Sequence, residues 1–228
     1  MKAVDTIVPQ VLGWLEVTLD DTEIQFLWDC IREGEKVRDS YKKRLAGAIT
    51  ESWILTDKDD WFWKNVLLKL CGRYAGEFEN IANQAPVNNR HPLCLDQMWM
   101  NRQRQTEFNP IHFHSGVYSF VIWMQIPTHY KEQSRIPIAY KTNSNSISNF
   151  AFEFLDIRGE IRSFTYLMEP DMAGKLLFFP ANLRHQVYPF YNCGDDRISI
   201  SGNITLDTSR ISPKKSTDTV SKQNHGLS

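Results

Sequence analysis

Four cysteines in 228 residues, at 30, 71, 94 and 193, are too few and too scattered for a framework of bridges. No two are spaced as Cys-x-x-Cys, which argues against a zinc knuckle. Reduced thiols are the expectation. No apolar run approaches the roughly eighteen residues of a membrane-spanning helix. No secretory apolar core opens the sequence, so a reducing cytoplasm is expected. An excess of charge of one sign is also missing. Lys and Arg number 26 against 27 Asp and Glu, and no basic stripe appears, so nucleic acid is not indicated as a partner. No internal repeat is visible.

What is present is a chain able to bury a core, with 42% hydrophobic residues and length for one domain with a helical extension. A short strand is expected near the start, from residues 6–8 with 12–17, interrupted by Pro9 and Gly13. Thr22-Glu23-Ile24-Gln25 fits a capping box with Thr22 as the cap. Ile24, Leu27, Trp28 and Ile31 then recur on one helical face, in a helix stopping near Gly34. Residues 35–60 read as a polar loop with a short helical piece. Asp59 and Asp60 can cap a longer helix over 61–82, whose stripe of Trp63, Val66, Leu67, Leu70, Tyr74, Phe78 and Ile81 reads as core packing. The expected extent of the domain is 1–206, with its helices over about 20–83. A polar tail at 207–228 has too few apolar residues to order itself.

From Gln97 onward the pattern has the period of strands. Candidates are 98–102, 119–126, 136–140, 150–156, 161–167, 175–179, 186–190 and 197–205, separated by turn signals such as Arg158-Gly159 and Ala173-Gly174. Eight short strands at this rhythm imply an antiparallel barrel or jelly roll, hence a mainly β chain with bracing helices, α+β in class. Between two strands lies a polar loop, 143–149.

The chemistry concentrates in Glu107-Phe108-Asn109-Pro110-Ile111-His112-Phe113-His114-Ser115-Gly116. Strand residues i and i+2 share a face, so His112 and His114 can converge on one ion. His185 follows Leu177-Phe178-Phe179-Pro180, and Arg197-Ile198-Ser199-Ile200-Ser201 comes after it. Ile198 and Ile200 point away from the face that Arg197 and Ser199 share. A lone histidine is usually a surface or hydrogen-bonded residue, and His91, His129 and His225 read that way. The three at 112, 114 and 185 read jointly as a metal site.

The segments 99–127 and 174–204 resemble the double-stranded β-helix (jelly-roll, cupin-like) oxygenases that use Fe(II) and 2-oxoglutarate. The resemblance is carried by Asn109-Pro110-Ile111-His112-Phe113-His114-Ser115-Gly116, Leu177-Phe178-Phe179-Pro180, Leu183-Arg184-His185-Gln186-Val187 and Arg197-Ile198-Ser199-Ile200-Ser201-Gly202-Asn203-Ile204. It is strongest to the prolyl-hydroxylase-like branch common in phage and bacterial genomes, which for a phage-encoded chain implies the host cytoplasm. It implies Fe(II), 2-oxoglutarate as cosubstrate and O2, with hydroxylation of a substrate and release of succinate and CO2. His112 and His185 stand where the family has its two histidine ligands. His114 stands where most members have Asp or Glu, making the site one unit more positive. Glu107 or Asp156 is an alternative source of that carboxylate. Arg197 and Ser199 stand where the distal carboxylate of 2-oxoglutarate is bound. Asn101 and Gln103, sharing one strand face, are candidates for contacting keto acid or substrate, with a plain polar interior as the other reading. Arg184 reads as a rim residue, Trp99 and Trp123 as core. The substrate expected is a small molecule or a peptide, and an oligomer is compatible with the sequence. The competing readings are a catalytically silent binding or virion-associated jelly roll, and a cupin-type enzyme needing no keto acid, against which Arg197 and Ser199 argue.

Overall fold

The computed structural model describes residues 12–78, 80–84 and 91–210. Its strands are β1 (Leu15–Thr18), β2 (Glu51–Leu55), β3 (Leu93–Gln103), β4 (Asn109–His112), β5 (Tyr118–Gln125), β6 (Phe150–Leu155), β7 (Ile161–Tyr166), β8 (Lys175–Pro180), β9 (Arg184–Val187) and β10 (Arg197–Leu206). Its α-helices are α1 (Asp21–Val37), α2 (Leu68–Glu77) and the single turn α3 (Tyr130–Gln133). The strands form two antiparallel sheets, a larger one in the order β1-β8-β5-β10-β3-β2 and a smaller one in the order β4-β9-β6-β7. This is the two-sheet arrangement of a double-stranded β-helix.

Alternation along the central strands sorts side chains onto two faces. Ile198, Ile200, Met98, Met100, Phe120, Ile122, Leu176 and Phe178 point outward and are buried under α1 and α2, with Leu27, Ile31, Leu67, Leu70 and Tyr74. Val121, Trp123, Leu177 and Phe179 point inward and meet Phe150 and Phe152 of the smaller sheet. The polar residues of β10 share this inner face. Helices thus cover one side of the larger sheet, and the other side is left to enclose a cavity.

Several expected boundaries move, for physical reasons. The cap of α1 is Asp20, which accepts from the Glu23 backbone at 2.9 Å while the Glu23 carboxylate accepts from the Asp20 backbone at 2.9 Å. This capping box lies two residues before the one expected at Thr22, and such caps contribute about 1 kcal/mol. The helix runs past Gly34 to Val37, and Gly34 is a point of close approach within it. A Cβ there would lie 2.5 Å from the Leu55 side chain. The second helical stretch starts on Asp57, whose carboxylate accepts from the Phe62 and Trp63 backbones at 2.8 Å, rather than on Asp59 or Asp60, both of which have positive φ. A π-helical turn, Trp63–Leu67, precedes α2.

The expected loop at 35–60 contains β2, an edge strand too short to announce itself. The expected strand at 136–140 is a series of turns, with Ala139 and Tyr140 both donating to the Ile136 carbonyl. Pro137 lacks an N–H for a ladder, and Ile138 and Tyr140 are exposed. The strand expected over 186–190 is Arg184–Val187, which takes in His185. Of the tail expected from 207, residues 207–210 are described, in a turn whose Asp207 backbone donates to Pro92. The rest of it, and the strand expected at 6–8, lie outside the described residues. No described helix is long and apolar enough to cross a membrane.

Cys30 and Cys71 lie in the layer beneath the helices, and burial pushes each thiol up to about 12. A disulfide-exchange reagent at pH 8 is expected to modify Cys30 and Cys71 only when the protein unfolds. Because the native state keeps protons that the unfolded chain loses, their contribution to stability is present below about pH 9 and lost as pH rises toward 12. Mass spectrometry of the labelled sites checks this, and fast labelling of either thiol in the native state would contradict the packing.

Candidate metal centre

The pairing of β4 with β9 sets His112 directly opposite His185, with ring centroids 4.2 Å apart. In each ring Nδ1 faces a backbone carbonyl two residues earlier, Pro110 at 2.7 Å for His112 and Leu183 at 3.0 Å for His185. A carbonyl only accepts, so Nδ1 carries the proton and Nε2 presents its lone pair. This is how ligand histidines are oriented.

His114 joins them by a different route from the one its i+2 spacing suggested. The strand ends at His112, and the next residues turn away. The His114 backbone donates to the Ala181 carbonyl at 2.8 Å. Two residues on, Gly116 adopts a φ of +105° and crosses β10 so closely that a Cβ would sit 2.7 Å from the Ile204 carbonyl oxygen. The loop so pinned brings His114 Nε2 to 3.2 Å from His185 Nε2. One donor atom of each histidine lies within 4.8 Å of the others. Two nitrogens at right angles on one cation, with bonds of about 2.1 Å, stand roughly 3 Å apart. The nitrogen pair therefore fits a shared ion, and three imidazoles suit a divalent transition metal.

Electrostatics agree. Burial lowers the pKa of all three rings, with the other histidines adding to the shift at His114 and His185. His114 falls to about 3 and His185 moves well below the ordinary value. All three are neutral at pH 7, as ligation requires.

The histidines open on a cavity of about 100 Å³ between the two sheets. Its floor is three cross-strand pairs of β10 and β3: Arg197 with Gln103, Ser199 with Asn101, and Ser201 with Trp99. Arg197 is 2% exposed, and no carboxylate among the described residues pairs with it. Its guanidinium donates to the Ser148 carbonyl at 2.6 Å, weakly to Gln103 at 3.5 Å, and lies 5.1 Å from the Phe190 ring centroid. Desolvation lowers its pKa to about 10, which still leaves it charged at neutral pH. Among the described residues its Nε has no acceptor, and Asn101 Oδ1, Asn109 Oδ1 and Trp99 Nε1 are likewise buried without partners. A buried charge and four unmet polar atoms around one cavity describe a site shaped for a polar ligand.

All seven candidate residues, His112, His114, His185, Arg197, Ser199, Asn101 and Gln103, line this cavity. Gln103 serves largely as a brace, donating to the Glu107 carbonyl at 2.6 Å while its oxygen faces Arg197. Neither alternative carboxylate reaches the histidines. Glu107 accepts from the Thr50 and Arg104 backbones at 3.0 and 2.9 Å, and Asp156 is held by Arg158 and Arg162 at 3.0 and 2.8 Å. Among the described residues no Asp or Glu lines the cavity. Trp99 and Trp123 are buried as expected, and both also form cavity wall. Sequence reasoning missed Ser148, Tyr41, Asn109 and Ser201. Asn109 lay inside the histidine motif and Ser201 continued the period of Arg197 and Ser199, so both were within reach; Ser148 and Tyr41 come from loops with no local signal.

Residues 97–203 match a family described as "Putative 2OG-Fe(II) oxygenase". No curated protein matches the sequence. Similar solved structures include the non-heme α-ketoglutarate-dependent carbocyclase SnoK from nogalamycin biosynthesis, at 8% identity and a TM-score of 0.52, covering 85% of this chain and 80% of that one. An oxidoreductase of the 2OG-Fe(II) oxygenase family from Burkholderia pseudomallei is similar at 11% identity and a TM-score of 0.50, covering 85% of this chain and 84% of that one. A Pseudomonas putida prolyl-4-hydroxylase aligns at 15% identity with a TM-score of 0.48, over 86% of this chain and 93% of that one.

If His114 is a ligand, anaerobic Fe(II) binding will rank the parent and His114→Asp together, His114→Ala weaker and His112→Ala weakest. The loss in His114→Ala is expected to exceed the roughly 10- to 100-fold that removing a supporting residue costs. Parent-like iron affinity in His114→Ala would remove His114 from the ligand set.

Proposed function

Proceeding from the match of residues 97–203 to the 2OG-Fe(II) oxygenase family, we propose a dioxygenase that hydroxylates a bound substrate while converting 2-oxoglutarate to succinate and CO2. The observation that carries this reading is the buried Arg197, unpaired with any carboxylate of the described residues, on the floor of the same cavity as three converging histidines. A metal alone would not call for that guanidinium. A keto acid with a second, distal carboxylate does.

In this reading His112, His114 and His185 hold Fe(II) through Nε2 of His112 and His185 and one nitrogen of His114. Iron, once bound, supplies activation of O2 coupled to oxidation of the keto acid. The remaining tasks fall to the chain. Arg197 offers its fork to the distal carboxylate, and charge-assisted bonds of this kind are about twice as strong as neutral ones. Ser199, one pleat along, donates a further hydrogen bond. The Ser148 carbonyl and Gln103 hold the guanidinium in place before the acid arrives, which reduces the ordering cost of binding. Trp99, Trp123 and Phe179 close the walls and keep bulk water from the reacting atoms. Neutral His114 in place of the commoner carboxylate gives the iron one more unit of positive charge, favouring anionic ligands around it.

Anaerobic protein loaded with Fe(II) is expected to bind 2-oxoglutarate, and admission of air to yield succinate matching the keto acid consumed. Absence of keto-acid-dependent succinate would sink the proposal. In Arg197→Met, 2-oxoglutarate affinity is expected to fall by roughly 10- to 100-fold, as for one charged hydrogen-bonding group, with Fe(II) affinity retained. Equal loss of iron would make Arg197 a structural residue.

A further inference from the structure

Beside the three histidines stands a fourth polar side chain, Asn109, which is not one of the ligand set. The pairing of β4 with β9 matches Asn109 to Val187 and His112 to His185, and its register shifts between the two. Three steps on β4 thus answer two on β9, so a bulge lies between them. In a regular strand residues i and i+3 face opposite ways. The bulge turns Asn109 and His112 to the same side, and both line the cavity. Pro110 suits the bulge because it has no N–H to lose from the ladder, and its carbonyl accepts the proton of His112 Nδ1 at 2.7 Å. The asparagine is walled in from another side. Gly47 crosses β4 so closely that a Cβ there would overlap Asn109 Oδ1 and the Phe108 carbonyl oxygen, and the Ala48 backbone donates to that carbonyl at 3.0 Å.

The carboxamide so held places its Nδ2 3.4 Å from His112 Nε2. Nδ1 of that ring has its proton directed at Pro110, so Nε2 has only a lone pair to offer and the amide is the donor. The other end of the carboxamide, Oδ1, meets no donor among the described residues, so the contact with His112 sets its orientation. The lone pair that Asn109 faces is the one a metal would take. A cation there displaces the amide and leaves an N–H beside the ion, with no other acceptor among the described residues. Resting on the metal centre of the oxygenase reading, we propose that Asn109 is a positioning residue: once the metal holds the His112 lone pair, the amide N–H donates to the ligand atom of an anion bound to that metal. The surroundings agree. Three neutral imidazoles leave the charge of a divalent cation uncompensated, so an anion is its natural further ligand. No Asp or Glu among the described residues lines the cavity to compete with that anion. A donor already held in place loses little freedom on making the bond.

The test uses the full-length protein loaded with Co(II), whose visible bands report both occupancy of the site and binding of an added anion, here azide. Asn109→Leu keeps the shape of the side chain and removes the donor. Its Co(II) affinity is expected to stay within about threefold of the parent, and its azide affinity to fall by about ten- to a hundredfold, as for a hydrogen bond to a charged group. Asn109→Ala should behave like Asn109→Leu, because the donor and not the volume is at issue, and it carries the same comparison if the leucine variant does not fold. The proposal is overturned if azide affinity in either folded variant equals that of the parent, or if the loaded parent binds no azide. It is also overturned if Co(II) affinity falls as far as azide affinity, which would make Asn109 a support of the histidines and nothing more. Failure of the oxygenase reading shows separately: the azide comparison needs no keto acid, whereas that reading falls if the iron-loaded parent releases no succinate. A parent that takes up no Co(II) would remove the metal centre on which both rest.

Discussion

A guanidinium enclosed by protein with no carboxylate beside it is the constraint on which the inner face of this fold depends. Taking such a charge out of water costs several kcal/mol unless something compensates. Here the compensation is partial: the Ser148 carbonyl, the Gln103 oxygen and the face of Phe190. These partners come from three distant parts of the chain, and each is pinned in turn. Ser148 donates its backbone N–H to Pro189, and the Asn149 side chain accepts from Met168. What the protein leaves undone is at Arg197 Nε and Asn101 Oδ1, two buried atoms of residues that line the cavity. The remaining cost of burying the charge is thus converted into affinity for whatever anion satisfies it.

The same strand that buries Arg197 also holds the fold together. On β10 the isoleucines at 198 and 200 are packed under the helices, and Arg197, Ser199 and Ser201 face the other way. One period of two residues therefore separates stability from chemistry, so a substitution at 199 or 201 acts on the cavity and one at 198 or 200 on the core. The smaller sheet contributes in a similar way. Its β4–β9 register, not a loop, sets His112 against His185, and a slip of one residue in either strand would turn that strand's ring to the opposite face.

Much of this was legible in the sequence because long central strands are strongly patterned. β5 and β10 carry β-branched runs, β8 and β3 are largely apolar along their lengths, and the residues of the cavity floor follow from the alternation of β3 and β10. Short strands were legible unevenly: those expected at 12–17 and 161–167 correspond to the edge strands β1 and β7, whereas β2 was not expected. Glu51–Leu55 has too few residues to show a period, and 136–140 mimicked one across a proline. The convergence of His112 with His114 was expected from the pleat, whereas the structure achieves it through a loop pinned at Ala181 and Gly116. Ser148 could not be found at all, since a serine in a polar loop carries no sign that it will end up buried under an arginine 49 residues away.

The order of strands has a consequence for how the molecule comes into being. β10 is the last of the described strands, yet it lies between β5 and β3 in the sheet, and β1 pairs with β8, about 160 residues later. Until β10 is synthesised, β3 and β5 have no common neighbour, their inner edges are unpaired, and half the cavity floor is missing. The helices and the smaller sheet can gather beforehand, but the larger sheet closes in a late, long-range step, and until then its open edges are exposed to pairing with other chains. The strand that gives the pocket its charge is therefore also the one that ends the chain's vulnerability to aggregation.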